Sequence, residues 1–231
     1  EIEKWANRAG AKITKMELVS QFRCNGSDGY LAWLDNTLDI RETANWDMQD
    51  IDYDIQIMDS PHDVRNIILE KNVASNNKAR LLAGYCWDWP KAGRNKTTEP
   101  DIIIGDFKMS WNLENTSTFA IDENSVNEIG CIHSSQGLEF DYVGVIIGED
   151  LRYEDGKVVT DFTKRAKTDQ SLKGIKKLHK ENPEKAQKTA DEIIKNTYRT
   201  LMTRGMKGCY VYCVDENLSE YLKSSIGKEE E

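Results

Sequence analysis

Apolar and polar positions alternate between two periods along the chain, and the switches mark its elements. Met16 to Val19 predicts a short strand, followed by Gln21-Phe22-Arg23 and a polar turn over 25–29. Leu31, Leu34 and Leu38, with Trp33 among them, repeat at helical spacing. Residues 53–58 alternate as a strand does, and Ser60-Pro61 supplies a cap and a first-turn proline for a helix carrying Val64, Ile67 and Ile68. Lys78 to Tyr85 predicts the next strand, and the polar, turn-rich run over 87–100 predicts a loop. Asp101 to Ile104 and Thr118 to Ile121 are expected as short strands flanking Trp111, which is expected to pack in the interior.

The second half is more strongly patterned. Glu128 to Ile132 is a compact apolar run, His133 to Gly137 a turn, and Asp141 to Ile147 the most continuous buried-strand candidate, expected in the middle of the sheet. Residues 151–180 are polar and basic, with a hairpin turn at Glu154-Asp155-Gly156-Lys157. Asn182-Pro183 opens a long helix whose inward stripe is Ala186, Ala190, Ile193, Ile194, Thr197 and Leu201. Cys209 to Val214 is the strand after it, and Leu218 to Leu222 an amphipathic turn. Strands alternating with helices, one of them apolar on both faces, predict an α/β fold with a mainly parallel sheet covered on both sides.

A length of 231 residues suits one large domain or one domain with insertions. With 39% hydrophobic and 31% charged residues the chain reads as globular, not disordered. The longest apolar run, Tyr142 to Ile147, is far below the roughly 20 residues of a membrane span, so no membrane partner is expected. Five cysteines, an odd number with Cys86, Cys131 and Cys209 in or beside apolar runs, point to a reduced, cytoplasmic setting. Cys209 and Cys213 stand without a His or Cys cluster, so no metal site is expected.

Charge is unevenly placed. Residues 151–200 hold 13 basic and 8 acidic side chains, +5, leaving 18 basic and 32 acidic elsewhere, −14, for the total of −9. A basic segment on an acidic body suits phosphates, or is simply a solvated, lysine-rich insertion.

Three short runs carry the candidate chemistry: Gln21-Phe22-Arg23 after a strand, His133-Ser134-Ser135-Gln136-Gly137-Leu138-Glu139-Phe140-Asp141 between two strands, and Tyr198-Arg199-Thr200-Leu201-Met202-Thr203-Arg204-Gly205 at a helix end. A Ser-Ser-Gln-Gly turn offers N–H groups and hydroxyls, and Gly137 permits a close backbone approach, which suits a phosphate or ribose. Arg23 and Arg204 stand where apolar elements meet loops and can deliver guanidinium groups to an anion.

In order and spacing this set resembles the second RecA-like domain of superfamily 1 helicases and related P-loop ATPases. The His133 to Asp141 run resembles their motif V, the Tyr198 to Gly205 run their motif VI, and Leu18 to Arg23 the strand-to-arginine motif that opens the second domain. More narrowly, Ala79 to Trp89, Glu128 to His133 and Lys164 to Asp169 resemble the bacterial DUF2075 family of helicase-like ATPases, over about Lys15 to Leu222. The resemblance implies one RecA-like domain over 1–231, with a loop insertion at about 87–116 and a basic insertion at about 151–180. It implies that Arg204 and Arg23 act as arginine fingers on a γ-phosphate. Gln136, Gly137 and Glu139 would meet the nucleotide, and His133, Ser134 and Ser135 a single nucleic-acid strand, DNA or RNA. Gly205 departs from the commoner alanine of motif VI, a change expected to alter only the helix end.

No Gly-x-x-x-x-Gly-Lys-[Ser/Thr] and no apolar strand ending in Asp-Glu occurs in the chain. ATP and magnesium are therefore expected to be held by a first RecA-like domain upstream of Glu1, carrying the Walker A and B motifs, and this chain alone is not expected to hydrolyse ATP. The absence of a starting Met fits a beginning just before the second domain. A second reading keeps the fold as a nucleic-acid-binding or protein-interaction module without ATP coupling. A third, a metal-dependent nuclease, would recruit Asp101, Asp106, Glu139 and Asp141.

Overall fold

The structure is a computed structural model that describes residues 2–14, 24, 27–44, 48, 51–88, 100–111, 118–137 and 139–227. In chain order its elements are α1 (Ile2–Arg8), α2 (Asp28–Thr37), β1 (Asp54–Ile57), α3 (Pro61–Ala74), β2 (Ala79–Ala83), β3 (Ile102–Ile104), β4 (Phe107–Met109), β5 (Ile129–Gly130), β6 (Phe140–Ile147), β7 (Leu151–Glu154), β8 (Lys157–Thr160), α4 (Ile175–Glu181), α5 (Pro183–Met202), β9 (Gly205–Cys213) and α6 (Glu216–Ile226). Five strands form one sheet in the order β1-β9-β6-β2-β5, and every pairing is parallel. This is the expected α/β architecture, consistent with a RecA-like fold.

β6 lies in the middle because its sequence leaves it no solvent face: Val143, Val145, Ile146 and Ile147 are all fully buried. On one face α3 brings Val64 and Ile68 against Leu81, Ile146 and Tyr210. Gly144 permits that approach, since a Cβ there would stand 2.7 Å from both Val64 Cγ1 and Leu81 Cδ1. The opposite face is covered by α2, α5 and α6, whose Leu34, Ala190, Ile194 and Leu222 join Val143 and Val145. Helix starts follow the sequence signals. Ser60 accepts from His62 N ahead of Pro61, Asn182 from Lys185 N ahead of Pro183, and Asp215 from Leu218 N.

Some expectations change. Residues 118–121 form a turn, not a strand, because their carbonyls bend around a buried arginine. Arg80 Nε donates to Phe119 O at 3.2 Å, and Nη2 donates to Asp122 O at 2.8 Å. The final amphipathic turn is a full helix, α6, and the last strand begins at Gly205, not Cys209. The basic segment is folded on the body: β7 and β8 pair through Asp155 and Gly156, both at positive φ, and Leu151, Val158, Leu172 and Ile175 enter the core. Within 87–116, β3 and β4 form a hairpin, and Trp111 is fully buried. The expected strand at Met16 to Val19 and residues 89–99 and 112–117 lie outside the described residues.

Candidate functional site

The register of two central strands builds the site. Phe140 of β6 pairs with Gly205 of β9, so Glu139 and Arg204, each immediately preceding one of these residues, stand side by side at the N-terminal rim of the sheet. Glu139 is exposed and Arg204 half-buried. The pairing then slips: Tyr142 is opposite Gly208, so β9 carries one extra residue and bulges next to the rim. Gly205 makes the bulge possible, because a Cβ there would lie 2.2 Å from Gly208 O. The departure from alanine therefore does more than adjust a helix end; it fits the backbone at the start of β9. Across the bulge Lys207 Nζ meets Asp141 Oδ2 at 2.8 Å, and this bond holds the exposed ammonium's pKa above its usual value.

The last carbonyl of α5 and two where the chain passes into β9 are taken up by side chains from far along the chain. Tyr30 Oη donates to Met202 O at 3.0 Å, Cys24 Sγ to Thr203 O at 3.7 Å, and Tyr53 Oη to Gly205 O at 3.0 Å. Tyr30 and Tyr53 stack with ring centroids 3.9 Å apart, and burial pushes both phenols well above their ordinary pKa. One turn earlier Arg199 pairs with Asp35 of α2, whose other oxygen also accepts from Arg41 Nε at 2.9 Å. Arg204 thus leaves a helix end that is braced from two sides. Arg23 lies outside the described residues; its neighbour Cys24 is in this brace, beside Thr203.

The turn between β5 and β6 carries the other expected residues, and the structure spreads them. His133 is exposed at the C-terminal end of β5, its ring edge-on to Tyr85 at 6.0 Å. Ser134 and Ser135 spend their hydroxyls inside the turn: Ser134 Oγ accepts from Cys131 N at 2.7 Å, and Ser135, fully buried, donates to Ile132 O at 3.2 Å. Gln136 and Gly137 are exposed, Gly137 at φ +89° with open space where a Cβ would stand. Leu138, between Gly137 and Glu139, lies outside the described residues.

At the C-terminal rim a buried polar network stands behind His133. Tyr198 Oη of α5 donates to Asp150 and accepts from Gly148 N at 3.0 Å. Asp150 pairs with Arg165 at 3.0 Å, and Arg165 with Asp169 at 2.7 Å, all three side chains nearly solvent-free. The Arg165 guanidinium also lies 5.7 Å from the Tyr85 ring, and Ala166 N donates to Tyr85 O at 2.7 Å. Burial and the neighbouring Asp150 carboxylate raise the Tyr198 pKa well above the usual phenol range.

Asp35 and Arg80 carry no sequence-based expectation, and Tyr198 and Arg199 are named only within the motif VI run. A charged residue inside an apolar run marks two of them: Asp35 falls in the Leu31–Leu38 stripe and Arg80 inside the strand Ala79–Ala83. Among the described residues no three His, Cys, Asp or Glu side chains come together as metal ligands, and Asp106 and Asp141 are engaged with His62 and Lys207. Among the described residues no helix is long and apolar enough to cross a membrane. All five cysteines are free thiols.

Comparison with known proteins gives two matches. Residues 1–215 match the family described as Schlafen group 3, DNA/RNA helicase domain. A Saccharomyces cerevisiae protein, itself titled uncharacterized, is 26% identical over 221 residues, covering 89% of this chain and 47% of its own length. The chain thus spans about half the length of the curated relative it matches. No solved structure matches.

Proposed function

The chain belongs to the Schlafen group 3 DNA/RNA helicase domain family, and from that premise we propose that it is the second, C-terminal RecA-like half of an ATP-driven nucleic-acid motor, on the pattern of the DUF2075 helicase-like ATPases. ATP and magnesium would be held by a P-loop domain upstream. The observation that supports the reading is the Phe140–Gly205 pairing, which brings the backbone positions of Glu139 and Arg204 to neighbouring places at one rim of a parallel sheet, near Cys24, the residue after Arg23.

In this reading Arg204, joined by Arg23, meets the γ-phosphate of an ATP bound across the cleft. Phosphoryl transfer spreads negative charge over the equatorial oxygens, and an arginine finger is worth on the order of 10³ to 10⁵ in rate. The braces at Met202, Thr203 and Gly205 support that role by fixing the backbone on both sides of Arg204, since a finger that needs little reorganisation stabilises charge best. Glu139, with Gln136 and Gly137, meets the nucleotide, and His133 with the Ser134-Ser135 turn faces a single nucleic-acid strand.

The test is Arg204→Ala in the intact protein. Steady-state ATP turnover falls by at least about 10³ while the affinity for ATP, measured by equilibrium binding, changes by less than about tenfold. Comparable losses in both would assign Arg204 to ground-state binding. Turnover unchanged by the substitution would favour a module on the same fold without ATP coupling.

A further inference from the structure

We propose that a second nucleic-acid contact, distinct from the β5–β6 turn, is built at the C-terminal rim, where a cavity of about 580 Å³ opens between Trp87, the β3–β4 hairpin and the basic segment. The inference rests on the reading that His133 faces a nucleic-acid strand, and it names the path that strand takes next.

The walls of the cavity differ in chemistry. One is apolar: Trp87 is half-buried against Gly148, and Ile103, also in the lining, keeps 53% of its surface exposed. The other wall is basic, and its cations are not equivalent. Arg165 is used up by Asp150 and Asp169, and Lys164 by Glu149 at 2.6 Å. Lys167 and Lys176 are exposed and make no ion pair among the described residues. The second carboxylate of the lining, Asp88, accepts from the Lys167 backbone N–H at 2.8 Å and thereby fixes the lysine's loop to the Trp87 segment.

An apolar slot beside unpaired ammonium groups is what a single strand needs: a π-face for a base and point charges for the phosphates on either side of it. An acidic peptide would use the lysines but has no use for the slot. The cavity is tied to His133 through Tyr85, which is edge-on to that histidine, carries the cavity residue Arg165 on its ring and hydrogen-bonds Ala166 through its carbonyl. A strand crossing His133 meets Lys167 next, and then Trp87. The +5 charge of residues 151–200 on a body of −14 orients its approach.

The experiment is fluorescence anisotropy of the intact protein with fluorescein-labelled oligothymidylate and oligouridylate of about 20 nucleotides, titrated at several salt concentrations. The double variant Lys167→Ala, Lys176→Ala is expected to lower the slope of log Kd against log salt by about 1.4, roughly 0.7 for each phosphate contact. Trp87→Ala is expected to weaken binding about tenfold at fixed salt, with Trp87→Phe recovering most of the loss. If the intact protein binds neither oligonucleotide, the nucleic-acid reading of the His133 turn fails and this inference falls with it. If it binds, and His133→Ala weakens binding while the lysine and tryptophan variants do not, the second contact alone is overturned. Displacement by polyglutamate as effective as by unlabelled oligonucleotide would show a generic anion surface and overturn it as well.

Discussion

Replacing Gly205 by alanine restores the residue commoner in motif VI, and the structure predicts that it harms the protein. A Cβ at Gly205 would stand 2.2 Å from Gly208 O, about 1 Å inside an ordinary carbon–oxygen contact, and 3.2 Å from Val143 Cγ2. The obstacle is main chain, so no side chain can swing away. Gly208 cannot retreat easily either, because a Cβ at its own position would already lie 2.6 Å from Asp54 O of β1. The β9 bulge must open or the strand start must shift, at a cost typical of overpacking, about 1–3 kcal/mol. For a domain of this size each kcal/mol moves the melting temperature by about 2–4 °C, so Gly205→Ala is expected to melt roughly 2–12 °C lower by circular dichroism. A melting temperature within about 1 °C of the parent would refute the claim that the bulge, not the helix end, dictates glycine here.

Further outcomes follow from the buried polar groups. Tyr198→Phe removes the hydroxyl that donates to Asp150 and accepts from Gly148 N, leaving two buried groups short of a partner. A loss of about 2–5 kcal/mol is expected, read as a lower urea midpoint at unchanged m-value. The Asp54 carboxyl is pushed up by partial burial, but hydrogen bonds from Tyr210 and Lys71 outweigh this and hold its pKa below the usual carboxylate range. A depressed folded-state pKa means stabilisation that is present above the unfolded value of about 3.9 and lost as pH falls through the folded value. Stability measured by denaturant titration should fall below about pH 4, and Asp54→Asn should flatten that acid limb while lowering the neutral plateau.

What was legible in the sequence, and what was not, divides along the range of the interactions. The β6 strand, the α5 stripe, the caps at Ser60 and Asn182 and the turn at Asp155-Gly156 are local patterns, and each is found where the pattern indicates. Residues 118–121 were misread because their conformation is set by Arg80, some 40 positions earlier, whose guanidinium gathers their carbonyls. The hydroxyls of Ser134 and Ser135 were expected to point outward, yet a tight turn with unsatisfied N–H and C=O groups claims them first. The basic segment was readable as charge, but its anchorage depends on apolar residues spaced too irregularly to signal an element, Leu172 and Ile175 among them. For the site, the motifs named Glu139 and Arg204, but their juxtaposition is a property of strand register, and the braces through Tyr30, Tyr53 and Asp35 are contacts across more than 150 positions.

The central claim is that Arg204 acts on the charge of the transition state. Its most direct test compares the intact protein with Arg204→Ala in binding ADP alone and ADP with aluminium fluoride, a mimic of the transferring phosphoryl group. The variant is expected to keep its ADP affinity and to lose at least about 10² in affinity for the aluminium fluoride complex. An equal effect on both ligands, or none on either, would contradict it.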